Sequence, residues 1–171
     1  MQAMNAELLR RYLRSYGPST RAGFAAWLGV QTGDVDPWWS LLDAELVNVD
    51  FGGSAWMLAA DFDLLRSATM PRGVRMLPPR DPYLQVRDRA TIVDKAYHRE
   101  VWKTVGDPGA ILVDGEIMGT WRPRKSGRKL HIEFKGFAPF GCDRQELLAA
   151  EAASIAPLRG ATSVSVAFVS Y

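Results

Sequence analysis

Arg122, Arg124, Lys125, Arg128 and Lys129 fall within the eleven residues WRPRKSGRKLH, 121–131, and no carboxylate interrupts them. Cations at this density attract a polyanion; contacts of this kind to phosphates position a protein but carry no base information. Trp121 opens the run and adds an aromatic face. A second constellation, Asp81, Arg87, Asp88 and Arg89, mixes carboxylates with guanidinium groups and suits either an ion-pair network tying loops together or a small secondary site. Little else in the chain is equipped for chemistry. Cys142, the single cysteine, has no Cys or His companion at metal-site spacing, and His98 and His131 lie outside HxH and HExxH arrangements. No metal, no cofactor and no catalytic residue is expected.

The charge is unevenly spread. Residues 1–66 hold five arginines against eight carboxylates, whereas the remaining 105 residues hold sixteen basic groups against eleven acidic ones. No apolar run approaches the roughly 20 residues of a membrane span, and the amino terminus lacks a basic-then-apolar signal pattern. A cytoplasmic protein is expected, nucleoid-associated when bound to DNA, with no membrane partner.

The elements that must position these side chains follow from periodicity. In AELLRRYLRSY, 6–16, Leu8, Leu9, Tyr12, Leu13 and Tyr16 make a helical stripe that Gly17-Pro18 stops. Ser19 or Thr20 caps a second helix carrying Phe24, Ala25, Trp27 and Leu28, which Gly29 ends. A third starts with Asp36 as N-cap and Pro37, and runs through Trp38, Trp39 and Leu42 to Leu46. Leu46–Val49 and Ala55–Leu58 then form a hairpin, and the four tryptophans of this lobe read as core. Three helices and a two-stranded wing make a winged helix, the helix-turn-helix variant whose third helix enters the major groove. No Lys or Arg occurs between Arg21 and Arg66, while seven carboxylates do, so phosphates would repel this helix.

The second lobe opens with a strand over Val74–Leu77, broken by two prolines, and DKAYHREVWKTV predicts a helix over 94–105. AILVDGEIMGTW turns at Asp114-Gly115, a pair suited to a type I′ hairpin, and Gly119 marks a bulge or a close backbone approach. The basic stretch then connects this strand to LHIEFKGF, so its cations sit at the tip of a protruding hairpin in a three-stranded meander. Such a ribbon fits a DNA groove, and arginines at its tip suit a narrow minor groove. The same composition also serves solubility and edge protection. Residues 142–158 read as a helix and 162–171 as a last strand. The expected architecture is α+β: a winged-helix lobe at 1–69, then a second winged-helix-like lobe at 73–171 built on the meander.

Three segments, LLRRYLRSYGPSTRAGFAAWLGV, MLPPRDPYLQVRDR and GAILVDGEIMGTWRPRKSGRKL, together resemble the carboxyl-terminal part of the winged-helix DNA-binding proteins that include AlkZ-like alkylpurine and crosslink DNA glycosylases. The resemblance covers residues 6–160. It implies tandem winged-helix lobes around a basic channel for duplex DNA, a β-hairpin near the damaged nucleotide, and hydrolysis of the bond between an alkylated base and its sugar. In that family a glutamine, one residue, then glutamine or aspartate orients the water. Gln2, Gln31, Gln85 and Gln145 do not stand in that pattern. The leading expectation is therefore a DNA-binding module, non-catalytic on its own, that contacts double-stranded DNA through Trp121, Arg122, Arg124, Lys125, Arg128 and Lys129. The alternatives are a glycosylase, or a lobe of one, and a protein-interaction lobe whose partner is an amino-terminal lobe or a second chain.

Overall fold

Leu9, Tyr12 and Leu13, with Ala6 a turn earlier, are the residues that helix α1 (Gln2–Tyr16) buries; of the apolar stripe expected there, Leu8 is half-buried and Tyr16 is exposed. The computed structural model describes residues 2–85 and 89–170. In α2 (Arg21–Leu28) the Thr20 hydroxyl accepts from the Gly23 amide at 3.0 Å, and Gly29 closes the helix at φ +76°, where a side chain would be strained. A 3-10 turn over Thr32–Val35 runs straight into α3 (Asp36–Ser40), and the hairpin β1 (Leu46–Asp50) and β2 (Ser54–Leu58) follows, then α4 (Phe62–Ser67). Leu9, Phe24, Val35, Trp39 and Leu42 form the centre of this core.

The chain divides into two compact units, Met1–Thr69 and Met70–Tyr171. In the second, β3 (Val74–Leu77) precedes α5 (His98–Val101), β4 (Gly109–Val113), β5 (Glu116–Ser126), β6 (Lys129–Gly136), α6 (Cys142–Ile155) and β7 (Ser163–Ser170). The strands make one sheet in chain order; all neighbours are antiparallel except β6 and β7, which α6 joins in parallel. Alternation puts Ile111, Trp121, Leu130, Ile132 and Phe134 into a core with Leu148 and Ala152 of α6. Ala110 and Ile117 belong to a separate core with Leu84, Val93 and Val101. Asp114 and Gly115 both take positive φ, 52° and 91°, as the turn between β4 and β5 demands. Further along β5, Met118 is bulged out of the ladder, since Ile111 pairs with Gly119 and Leu112 with Ile117.

Several expectations change. Asp36 is already helical rather than an N-cap, because the preceding 3-10 turn hands its geometry directly to α3, and the helix ends at Ser40 rather than near Leu46. The helix expected over 94–105 shrinks to a 3-10 turn and one α-turn: Trp102 leaves helical geometry, and the Asp107 carboxylate accepts from the Lys103 amide at 2.9 Å. Trp39 is core, but Trp27 is 47% exposed and lies against Tyr12, Tyr16 and Phe24. The meander is the middle of a five-stranded sheet, so the second unit is organised around strands and not around a helix trio.

The Trp39 indole N–H is buried and has no hydrogen-bond partner among the described residues. An unmet donor costs about 1–3 kcal/mol, so Trp39→Phe recovers much of what its smaller ring loses. Urea denaturation is expected to show a net loss under about 1 kcal/mol.

Arg10 grips Glu45 with two hydrogen bonds, Nε at 2.8 Å and Nη2 at 2.6 Å, and these hold the Glu45 carboxyl below its ordinary range. A depressed folded-state value means the stabilisation is complete above the ordinary carboxylate pKa of 4.5 and fades as pH falls through the lower one. Glu45→Gln therefore lowers the urea midpoint at pH 7 more than at pH 3.

Candidate nucleic-acid interface

Along β5 the side chains alternate between faces, which separates residues that are adjacent in sequence. Trp121 is 2% exposed. Its indole N–H donates to the Leu77 carbonyl at 2.8 Å, Gly109 leaves the room its ring occupies, and the Arg159 guanidinium lies 5.4 Å from the ring centre. Trp121 is thereby removed from the surface set to which its sequence neighbours assigned it. Arg122 and Arg124 are exposed, in register with Glu133 and His131 of β6. The Arg122 Nη2 donates to the Gly106 carbonyl at 2.6 Å. His131 Nδ1 lies 3.0 Å from the Ser165 hydroxyl.

Lys125 falls in register with Leu130, and its ammonium donates to the Arg159 carbonyl at 2.7 Å. The turn between the strands uses Gly127 at φ +56°, and the Arg128 carbonyl accepts from the Thr162 amide at 2.8 Å. The charged ends of Arg124, Arg128 and Lys129 are exposed and make no hydrogen bond or ion pair with any described residue.

The ribbon does not protrude as a free two-stranded finger. β7 pairs with β6 from Lys129 to Gly136, because α6 returns the chain beside it, while β4 pairs with β5 only as far as Trp121. The open edge is therefore the distal half of β5, residues 122–126. The cations sit along this edge and around the turn, with Lys125 tied to the neighbouring 3-10 turn at Pro157–Arg159.

Of the second constellation, Arg87 and Asp88 lie outside the described residues. The Asp81 carboxylate accepts from the Tyr83 amide at 2.9 Å and shapes a turn. Arg89 stands apart from that bond, its guanidinium 4.6 Å from the centre of the Trp102 ring. It lines an open cleft of about 410 Å³ with Arg80, Gln85, Trp102, Lys103, Thr104 and Asp107. Arg80 and Lys103 were not marked by the sequence, since nothing in their spacing shows that the 78–85 and 102–107 segments meet. Among the described residues no group of three or more His, Cys, Asp and Glu side chains is placed to hold a metal ion, and no helix is long and apolar enough to cross a membrane.

The chain belongs to the AlkZ-like DNA glycosylase family, whose model it matches over residues 2–158. Its fold is similar to that of the solved Streptomyces sahachiroi DNA glycosylase AlkZ, with a TM-score of 0.80 over 98% of this chain at 22% identity. The chain spans 46% of that protein's length. No curated protein matches it.

Proposed function

We propose that this chain binds duplex DNA through the distal β5–β6 ribbon, with Arg124, Arg128 and Lys129 as its phosphate contacts and Arg122 beside them. The carrying observation is that three exposed cations along the distal edge and turn of the β5–β6 ribbon have no partner among the described residues, in a chain whose family is described by its action on DNA. A cation without a protein partner breaks no intramolecular bond when it meets a phosphate, and the counterions it displaces drive the association. Lys125 contributes less, because its ammonium must first leave the Arg159 carbonyl. Trp121 contributes support, not contact.

The first unit is best described as a winged helix, with α1, α2 and α3 followed by β1–β2 as the wing. Asp34 and Asp43 are exposed negative charges around α3 that disfavour phosphates, whereas Asp36 and Glu45 are paired with Arg21 and Arg10. That leaves its surface for a protein partner, an amino-terminal lobe or a second chain, and the half-exposed Trp27 favours this use.

Excision of an alkylated base is the second reading, and the family's description supports it at least as well as binding alone. One experiment separates the two. Normal and alkylated duplexes are titrated with the chain at several salt concentrations, then treated with alkali. Strand breaks on the alkylated duplex alone establish excision. Tight, salt-sensitive binding without breaks establishes the binding module, and binding that ignores salt overturns the ribbon proposal.

A further inference from the structure

We infer that the cleft between segments 78–85 and 102–107 holds a phosphodiester group of the strand that the ribbon grips, with Arg80, Arg89 and Lys103 as its ligands. This rests on the DNA-binding reading and extends it to a second, separate contact.

Three observations carry the inference. The first is composition: among the described residues, three cations line the cleft against one carboxylate, and Gln85 and Thr104 add neutral donors. That carboxylate, Asp107, is already engaged with the Lys103 amide at 2.9 Å and stands 3.9 Å from Arg80. Lys103 is in turn paired with Glu100 at 3.4 Å, so among the described residues Arg89 is the cleft cation left without a carboxylate, and one positive charge is left over.

The second is preorganisation. The Trp102 indole N–H donates to the Leu84 carbonyl at 3.0 Å, which fixes the ring, and the ring in turn carries the Arg89 guanidinium on its face. A stacked guanidinium keeps its donors free for an oxyanion and loses little freedom on binding it. With Arg89 already over the ring, a phosphate rather than a base is the chemistry recognised.

The third is backbone strain directed at the same place. Arg80 adopts φ +62°, at the third position of a turn closed by the Asp81 amide on the Pro78 carbonyl. Glycine or asparagine is the ordinary residue there. A bulky side chain held in this region signals a use for the side chain, and Arg80 is 83% exposed at the cleft wall. Continuity completes the case: Arg122 bonds Gly106, next to Asp107 of the cleft wall, so ribbon and cleft form one basic strip.

The test uses the full chain and the double variant Arg80→Gly, Lys103→Gln, with the ribbon variant Arg124→Ala, Arg128→Ala, Lys129→Ala beside it. Glycine accepts φ +62°, so Arg80→Gly is expected to melt no lower than the parent chain. Losing one phosphate contact should cost roughly eightfold in duplex affinity near 0.1 M salt and reduce the log–log salt slope by about 0.9. In the parent chain and in the ribbon variant alike, a thymidine dinucleotide with one phosphodiester should shift the NMR signals of Arg89 Nε–H and Trp102 Nε1–H, and the double variant should show no shift. A double variant that binds duplex with the parental slope overturns the inference. So does a cleft that answers to inorganic phosphate and not to the dinucleotide. Because the dinucleotide titration is read in the ribbon variant as well, failure of the ribbon proposal leaves its own separate trace, an unaltered duplex affinity of that variant.

Discussion

Replacing Arg124, Arg128 and Lys129 together by alanine is expected to weaken duplex binding by roughly 500-fold near 0.1 M salt, and to flatten the salt dependence by nearly three units of log–log slope. Each neutralised phosphate contributes about 0.9 to that slope, and extrapolation from 1 M to 0.1 M salt makes each contact worth roughly eightfold. Fold stability should hardly move, because these three charged ends are exposed and make no bond with any described residue. Thermal melting and a salt-titrated fluorescence anisotropy series check both halves. Lys125→Ala alone should fall well short of one third of the effect, since its ammonium is bonded to the Arg159 carbonyl. Equal losses at Lys125 and Arg124 would mean that the intramolecular bond does not hold in solution.

Trp121→Ala is expected to act in the opposite way, with a loss of about 3–5 kcal/mol in unfolding free energy of the second unit. The ring is 2% exposed, it belongs to the core under α6, and its N–H satisfies the Leu77 carbonyl across the sheet. Truncation leaves a cavity between β3 and β5 and an unmet carbonyl. Phenylalanine keeps most of the packing and forfeits the bond, so Trp121→Phe should cost about 1–2 kcal/mol. A shift in the urea midpoint reads the difference. Were Trp121 a DNA contact, alanine would reduce affinity and leave the midpoint in place.

The contrast between these neighbours shows where sequence reasoning carried and where it stopped. Local rules located α1, α2, the β1–β2 hairpin and the turn at Asp114-Gly115, since caps, glycines and periodicity act over a few residues. Trp121 was misplaced although its own signal was present: in a strand that alternates, position 121 shares a face with 123 and 125 and is opposite to 122 and 124. Its pairing with Phe134, itself in the buried set of LHIEFKGF, points inward. The helix over 94–105 failed for a different reason. Apolar spacing favoured it, and a carboxylate from Asp107 captured the Lys103 amide instead, so a local side-chain-to-backbone bond won over helical propensity.

Two features had no local signal at all. Which strand lies beside β6 depends on the path of α6, and the sequence of β7 would suit any sheet position. The cleft depends on Arg80 meeting Lys103 across a turn and a loop, which nothing in the spacing of either residue shows. The carboxylate and arginine cluster at 81–89 thereby divides: Asp81 builds a turn, whereas Arg89 faces the open cleft.

The parallel pairing of β6 with β7 has a consequence for how this molecule comes into being. During synthesis the outer rim of β6 emerges complete at Gly136, but the strand that covers it is finished only when Ser170 has been added. At ribosomal speeds of about 5–20 residues per second that interval lasts several seconds, during which a row of unsatisfied amides and carbonyls is open to foreign chains. The cations already translated along it, Arg128, Lys129 and Lys135, outnumber Glu133 and give the nascent segment a net positive charge. Neighbouring copies on one message would repel each other there, so the same cations proposed to hold a nucleic acid would also guard the half-made sheet from its siblings.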